Sequence, residues 1–162
     1  MARLSIRPAA PADAHEIALM VRELAEFERE PAASVEGTAA DFLRDCFGDR
    51  PRCEVLIGEM DGRTAGFVLF FHNYSTWLGR AGLFIEDLYV RESARGTGLG
   101  RRLVAAVAAL AVARGCQRLE LSVLHWNPAR GFYDKIGFQE MSEWRPYRLA
   151  GEALVKLAGE AG

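Results

Sequence analysis

The residues best placed to do chemistry lie between Leu83 and Leu110, LFIEDLYVRESARGTGLGRRLVAAVAAL. Two carboxylates, Glu86 and Asp87, interrupt a run that is otherwise apolar and aromatic. Side by side in a strand they point to opposite faces. Only one can face a given cleft, unless a bulge re-aims the other. A carboxylate in such a place can attract a cationic amine and accept its proton, directly or through water. Just downstream, Arg95, Gly96, Gly98 and Gly100 open a helix with an apolar stripe of Leu99, Leu103, Val107 and Leu110. A Gly-rich loop at a helix start leaves backbone N–H groups uncommitted, with the positive end of the helix dipole behind them. That combination suits phosphate.

Two common phosphate-binding templates fail here. A dinucleotide fingerprint G-x-G-x-x-G finds Leu103 or Arg101 where its third glycine belongs, and no Lys-Ser or Lys-Thr follows any glycine as a P-loop requires. Glu120 lies twenty residues after Gly100, but within an alternating strand and without that third glycine. The pattern that fits is Arg95-x-x-Gly98-x-Gly100. It resembles the [QR]-x-x-G-x-[GA] pyrophosphate loop of the GCN5-related N-acetyltransferase (GNAT) superfamily, whose members bind acetyl-coenzyme A. Further motifs follow in the order that family shows. LFIEDLYV precedes the loop as the bulged strand, and Asn127 leads a helix ending in Phe132-Tyr133-Asp134-Lys135-Ile136-Gly137-Phe138. IRPA, ELAEFE, FGD, YSTW-x-GR, VL-x-WN and GEA-x-x-KLAG are similar to the diamine acetyltransferase branch, above all to thialysine-acetylating members. The resemblance runs from Ile6 to Gly159.

The resemblance implies a function and a set of roles. The expected reaction is acetyl transfer from acetyl-coenzyme A to a primary amine of a small cationic molecule, thialysine, a diamine or similar. Glu86 takes the base role through water, and Tyr133 is the general acid that protonates the leaving thiolate. The N–H freed by the bulge, that of Leu88, polarises the thioester carbonyl. Leu88, Tyr89 and Val90 pair with the pantetheine arm, while Arg95, Gly96, Thr97, Gly98, Leu99, Gly100, Arg101 and Asn127 hold the rest of the cofactor. Phe27, Glu28, Glu86, Asp87, Trp77 and Trp144 form the expected substrate pocket. Relatives pair, so a homodimer is expected, and Trp144 to Leu157 is rich in apolar residues for a chain end.

Some positions depart from the relatives. Asn127 to Tyr133 spans six positions where seven are usual, and one residue turns a helix by about 100°. His125 stands where close relatives have Asp, and the segment from Phe138 to Trp144 is short. Polyamine-specific members carry an acid where this chain has Ser75, which favours a small amine over a long polyamine. Polyamine N1-acetylation remains the alternative. A peptide acetyltransferase would need an open groove, and a non-catalytic acetyl-coenzyme A-binding module would need Glu86 and Tyr133 to be idle.

The bulk properties agree with a cytoplasmic enzyme of one domain, residues 1–162. Half of the residues are hydrophobic and the formal net charge is −2, which leaves no electrostatic footprint for nucleic acid. No apolar run is long enough for a membrane span, and Arg3 and Arg7 interrupt a signal peptide. Cys46, Cys53 and Cys116 are scattered and odd in number, so neither a disulfide framework nor a metal site is expected.

The positioning elements follow from periodicity and punctuation. Strands are expected at Leu4–Arg7, Cys53–Met60, Thr64–Tyr74, Leu83–Val90, Arg118–Leu124 and Arg145–Leu149. Asp61-Gly62 joins two of them as a tight hairpin. Helices are expected at Ala14–Arg29, with Asp13 as cap and an Ile17, Val21, Leu24, Phe27 stripe, and at Thr38–Cys46 with a Thr cap. Others follow at the Gly-rich loop, at Pro128–Ile136 and at Gly151–Leu157. The fold class is α/β, a GNAT-type mixed and mostly antiparallel sheet flanked by helices.

Overall fold

Asp61 and Gly62 both adopt positive φ, 52° and 77°, as the two-residue hairpin between Met60 and Arg63 demands. That turn joins two strands of a five-stranded sheet. The computed structural model describes residues 1–162. The strands are β1 (Leu4–Pro8), β2 (Glu54–Met60), β3 (Arg63–Ser75), β4 (Arg80–Val90) and β5 (Leu119–Leu121). The helices are α1 (Ala14–Phe27), α2 (Ala39–Phe47), α3 (Leu99–Ala113), α4 (Ala129–Ile136) and α5 (Gly151–Ala158). The sheet order is β1-β2-β3-β4-β5; the first four pair antiparallel and β5 joins β4 parallel. The chain forms two compact units, Met1–Asn127 with the sheet and α1 to α3, and Pro128–Gly162 with α4 and α5.

Apolar periodicity accounts for the core of the first unit. β2 and β3 bury near-continuous runs, including Ile57, Phe67, Val68 and Phe70, as strands covered on both faces do. α3 buries Leu99, Leu103, Val104, Val107 and Ala111, while Leu110 of the expected stripe is only half-buried. Its approach to the sheet needs Gly58, where a Cβ would meet Leu99 Cδ1 at 3.0 Å. α1 buries Ala14, Ile17, Ala18, Met20 and Leu24. Thr38 caps α2 in a capping box with Asp41. Asp13 stands at the α1 N-cap position, but its carboxylate faces backwards. It accepts from the Ala10 N–H at 2.7 Å and pairs with Arg7 at 2.7 Å.

Three expectations change. Arg118–Leu124 shrinks to Leu119–Leu121, because β5 has β4 as its one partner and that pairing stops at Ile85. Arg145–Leu149 forms no strand: its residues are exposed and no other strand pairs with them. Alternating apolar residues there meet the pattern of a strand but not its requirement for a partner. Cys46 and Cys53, seven residues apart, converge with their Sγ atoms 3.0 Å apart as free thiols. Burial, first, and the neighbouring thiol push Cys46 up to about 12.

Candidate active site

A bulge in β4 organises the site. Leu69 pairs with Asp87 and Phe70 with Ile85, so Glu86 is an extra residue without a partner on β3. On the other side β5 pairs only with Leu83, Phe84 and Ile85, which leaves β4 from Glu86 onward with an open edge. The extra residue also switches the phase of the backbone. Before it, the Leu83 N–H donates outward to Arg118 O at 3.0 Å; after it, the Arg91 N–H donates inward to Ala65 O at 2.8 Å. Counting back by twos from Arg91 in the antiparallel ladder turns Tyr89 and Asp87 toward β3. The N–H and C=O groups of Leu88 and Val90 therefore face the open edge, as an extended amide-rich arm requires.

The bulge places the acid pair unequally. Glu86 is exposed, whereas Asp87 is half-buried. Burial, then the charges of Glu86 and Glu28, push the Asp87 carboxyl from 3.8 to about 6. Burial alone raises Glu28. Glu86 and Glu28 thus both lie within electrostatic reach of Asp87, although Glu28 is remote in sequence.

The last turn of α1 supplies Glu28 and is held firmly. Arg91, one residue past β4, pairs with Glu16 at 2.6 Å and with Glu23 at 2.9 Å, and donates to Thr64 O at 3.1 Å. Arg95 stacks 4.8 Å over the half-buried Phe27 ring and donates from Nε to Val90 O at 3.0 Å. Arg29 follows Glu28 with φ 65° and lies 3.8 Å over the Trp126 ring. No local signal announces that last contact, since its partners are 97 residues apart.

The Gly-rich loop then delivers a bare helix start. Gly96 and Gly98 have φ of 76° and 90°, and Thr97 ties the turn by donating to Ala94 O at 2.6 Å. Gly98 is the N-cap of α3, and no side chain caps that helix. The N–H groups of Leu99, Gly100 and Arg101 thus lack intrahelical partners and are available to a pyrophosphate. Arg101 is exposed beside them. Arg102 is spent elsewhere, donating to Leu4 O at 2.9 Å and tying α3 to β1.

In the second unit, Tyr133 sits on α4 with Phe132 and Phe138 edge-on at 5.2 and 5.6 Å. Gly137 ends that helix at φ 103°, which explains the glycine of the motif. Trp144 is exposed in the same unit.

Residues 6–138 match the acetyltransferase (GNAT) family. The chain belongs to that family. This acetyltransferase is 36% identical to the thialysine N-epsilon-acetyltransferase of Bos taurus, over 99% of this chain and all of that one. The Mus musculus enzyme of the same name is 37% identical over 98% of this chain and 99% of its own. The L-ornithine N5-acetyltransferase of Arabidopsis thaliana is 48% identical over 56% of this chain and 40% of its own. Solved structures share the fold. An integron cassette protein of V. cholerae superposes with a TM-score of 0.78 at 24% identity, covering 96% of this chain and 97% of that one. An aminoglycoside N-acetyltransferase in complex with CoA gives 0.73 at 20% identity, covering 92% and 96%.

Within the first unit of this acetyltransferase, Phe27, Glu28, Glu86, Asp87, Leu88, Tyr89, Val90 and the residues Arg95 to Arg101 gather around the bulge and the α3 N-terminus. Asn127, at the end of that unit, is the buried polar residue of the chain, and its N–H donates to Leu124 O at 2.9 Å. Trp77 does not join them. It is exposed in the turn beyond Arg80, and the seven strand residues to Asp87 span about 23 Å.

Proposed function

We propose that this acetyltransferase moves the acetyl group of acetyl-coenzyme A onto a primary amine of a small cationic substrate, thialysine, a diamine or similar. The observation that carries the reading is Asp87. A half-buried carboxyl, raised to about 6 by burial first and then by the charges of Glu86 and Glu28, stands where the β4 edge is open. An ammonium group beside Asp87 would meet negative charge from Glu86 and Glu28 as well. Substrates named for the relatives, thialysine and L-ornithine, each carry such a group.

The residues divide the work by their chemistry. At neutral pH roughly one alkyl amine in a thousand is already neutral, so the acid cluster must both hold the ammonium and remove its proton. Glu86, exposed at the bulge, accepts that proton through water. The outward N–H of Leu88 polarises the thioester carbonyl, while Leu88 and Val90 pair with the pantetheine arm. The bare start of α3 holds the pyrophosphate. Tyr133 gives its phenolic proton to the thiolate as the C–S bond breaks. Asn127 serves the cofactor and Trp144 the amine, while Trp77, in the turn beyond Arg80, stands apart from the bulge.

Exposed apolar residues Trp144, Tyr147, Leu149, Leu154, Val155 and Leu157 support a homodimer. Free thiols at Cys46, Cys53 and Cys116 support a reducing, cytoplasmic setting. No helix is long and apolar enough to cross a membrane. The test is a panel of diamines, basic amino acids and polyamines, assayed for thiol release from acetyl-coenzyme A. Small amines should react and long polyamines should lag. Activity on peptides alone would refute the reading.

A further inference from the structure

Cys46 lies in the last turn of α2 and Cys53 just ahead of β2, and the chain between them folds back so that the two thiols meet. Cys46 is buried among Ile17, Met20, Val55, Ile57, Phe67 and Leu69. Cys53 packs against the edge of that cluster and is only half-buried. The connecting turn is held from within. The Arg52 N–H donates to Asp45 O at 2.7 Å, and the Cys53 thiol points at the same carbonyl from 3.9 Å. Gly48 leaves α2 at a place where a Cβ would collide with Arg44 O. The residues from Gly48 to Arg52 are exposed, so Cys53 borders solvent while Cys46 does not.

Acetyl transfer gives neither thiol a task. Their Sγ atoms stand 3.0 Å apart. Closing that gap to a covalent bond of about 2 Å asks for a shift of about 1 Å, within reach of the side-chain torsions. An exposed thiol backed by a buried one at such a distance is the arrangement of a pair that is attacked at one sulfur and resolved by the other.

We propose that Cys46 and Cys53 form a site of reversible oxidation, closed to an intramolecular disulfide by a small disulfide such as oxidised glutathione. Cys53 reacts first, as its thiolate. Its Sγ bonds to one sulfur of the small disulfide, whose S–S bond breaks and releases one thiol. Cys46, its proton given to water, then attacks Cys53 Sγ. The Cys46–Cys53 bond forms, the mixed disulfide breaks and a second small thiol leaves. Two protein thiols are oxidised and one small disulfide is reduced to two thiols. Burial, first, holds the proton on Cys46, so the second step is the slow one and quickens as pH rises. The product closes a ring of eight residues, Cys46 to Cys53, and ties the end of α2 to the start of β2. It restrains the unfolded chain and so stabilises the fold. The inference stands apart from the amine-acetylation reading.

The test treats the reduced full-length chain with oxidised glutathione at about pH 8, blocks remaining thiols by alkylation and maps the tryptic peptides by mass. Peptide Asp45–Arg52 should be joined to Cys53–Arg63, at a mass about 2 Da below the sum of the two. Cys116 should be alkylated, and dithiothreitol should release both peptides. The urea midpoint should rise on oxidation and return on reduction. Cys46→Ala should stop at a glutathione adduct on Cys53, and Cys53→Ala should leave Cys46 unmodified in the folded protein. A glutathione adduct without the cross-link in the wild type overturns the proposal, as does a bond to Cys116 or between chains. A midpoint that falls on oxidation overturns it too. The wild-type peptide map decides without either variant.

Discussion

Asp87→Asn should stabilise the protein at neutral pH and lose that advantage in acid. The Asp87 carboxyl rises from 3.8 to about 6, driven by burial and then by the charges of Glu86 and Glu28. At about 1.36 kcal/mol per unit, keeping Asp87 ionised in the fold costs about 3 kcal/mol. The direction follows from linkage. Between 3.8 and about 6 the folded protein holds this proton and the unfolded chain has released it. Asp87 therefore adds its full stability below the lower value and loses it as pH rises through the upper one. Asparagine is neutral throughout, and the other carboxylates largely cancel between the two proteins. Urea unfolding at steps from pH 4 to pH 7.5 should show the stability difference moving by about 2.4 kcal/mol in favour of the variant, with the midpoint shifting and the m-value constant. A difference that stays flat within about 0.5 kcal/mol, or one that favours the wild type as pH rises, would refute the reasoning. Saturating amine should shrink the effect, because a bound ammonium supplies the missing positive charge.

Other outcomes follow from the same geometry. Gly98→Val places a β-branched residue at φ 90°, so calorimetry should show acetyl-coenzyme A binding at least tenfold weaker, about 1.4 kcal/mol; unchanged affinity in a folded variant would remove the loop from the cofactor site. Glu86→Gln should lose kcat/KM by about a hundredfold or more near neutral pH and recover part of it at high pH, where the amine is already neutral. Tyr133→Phe should lower kcat by a similar factor without that recovery and with cofactor affinity nearly intact; equal, pH-independent losses below about tenfold in both variants would end the acid–base assignment. Light scattering at micromolar concentration should give about twice the chain mass of 17.9 kDa, and a clean monomer would dispose of the dimer.

What could be read from residues alone was whatever depends on local chemistry. Asp61-Gly62 announces its turn because only that hairpin wants two positive φ values in succession. Thr38 announces its cap, and Gly98 an uncapped helix start. The bulge in LFIEDLYV came from the family resemblance, since the adjacent acids alone left a regular strand equally open. Relations set by packing stayed hidden. The alternation at Arg145–Leu149 carries no mark of whether a strand lies beside it. Asp13 looks like a helix cap until Arg7, brought in by β1, claims its carboxylate. Nothing around Arg102 says that its guanidinium ends on Leu4 O. Nothing near Arg29 points to Trp126, and nothing near Cys46 says that Cys53 ends beside it.

The order of strands in the sheet is the order of strands in the chain, and this bears on how the site comes into being. β2, β3 and β4 form a meander of consecutive hairpins, so a nascent chain can pair them as soon as Val90 has emerged. The bulge and its acids are laid down in that early, local step. β5 arrives only after the fifteen residues of α3, by a crossover that must close a longer loop, and its parallel pairing covers three residues. Amides of Leu119 to Leu121 should accordingly exchange with solvent sooner than those of β2 and β3. The opening beside Glu86 marks the point where pairing by proximity ends and pairing by crossover stops short. An extended ligand seated there would complete the edge that the short β4–β5 pairing leaves open.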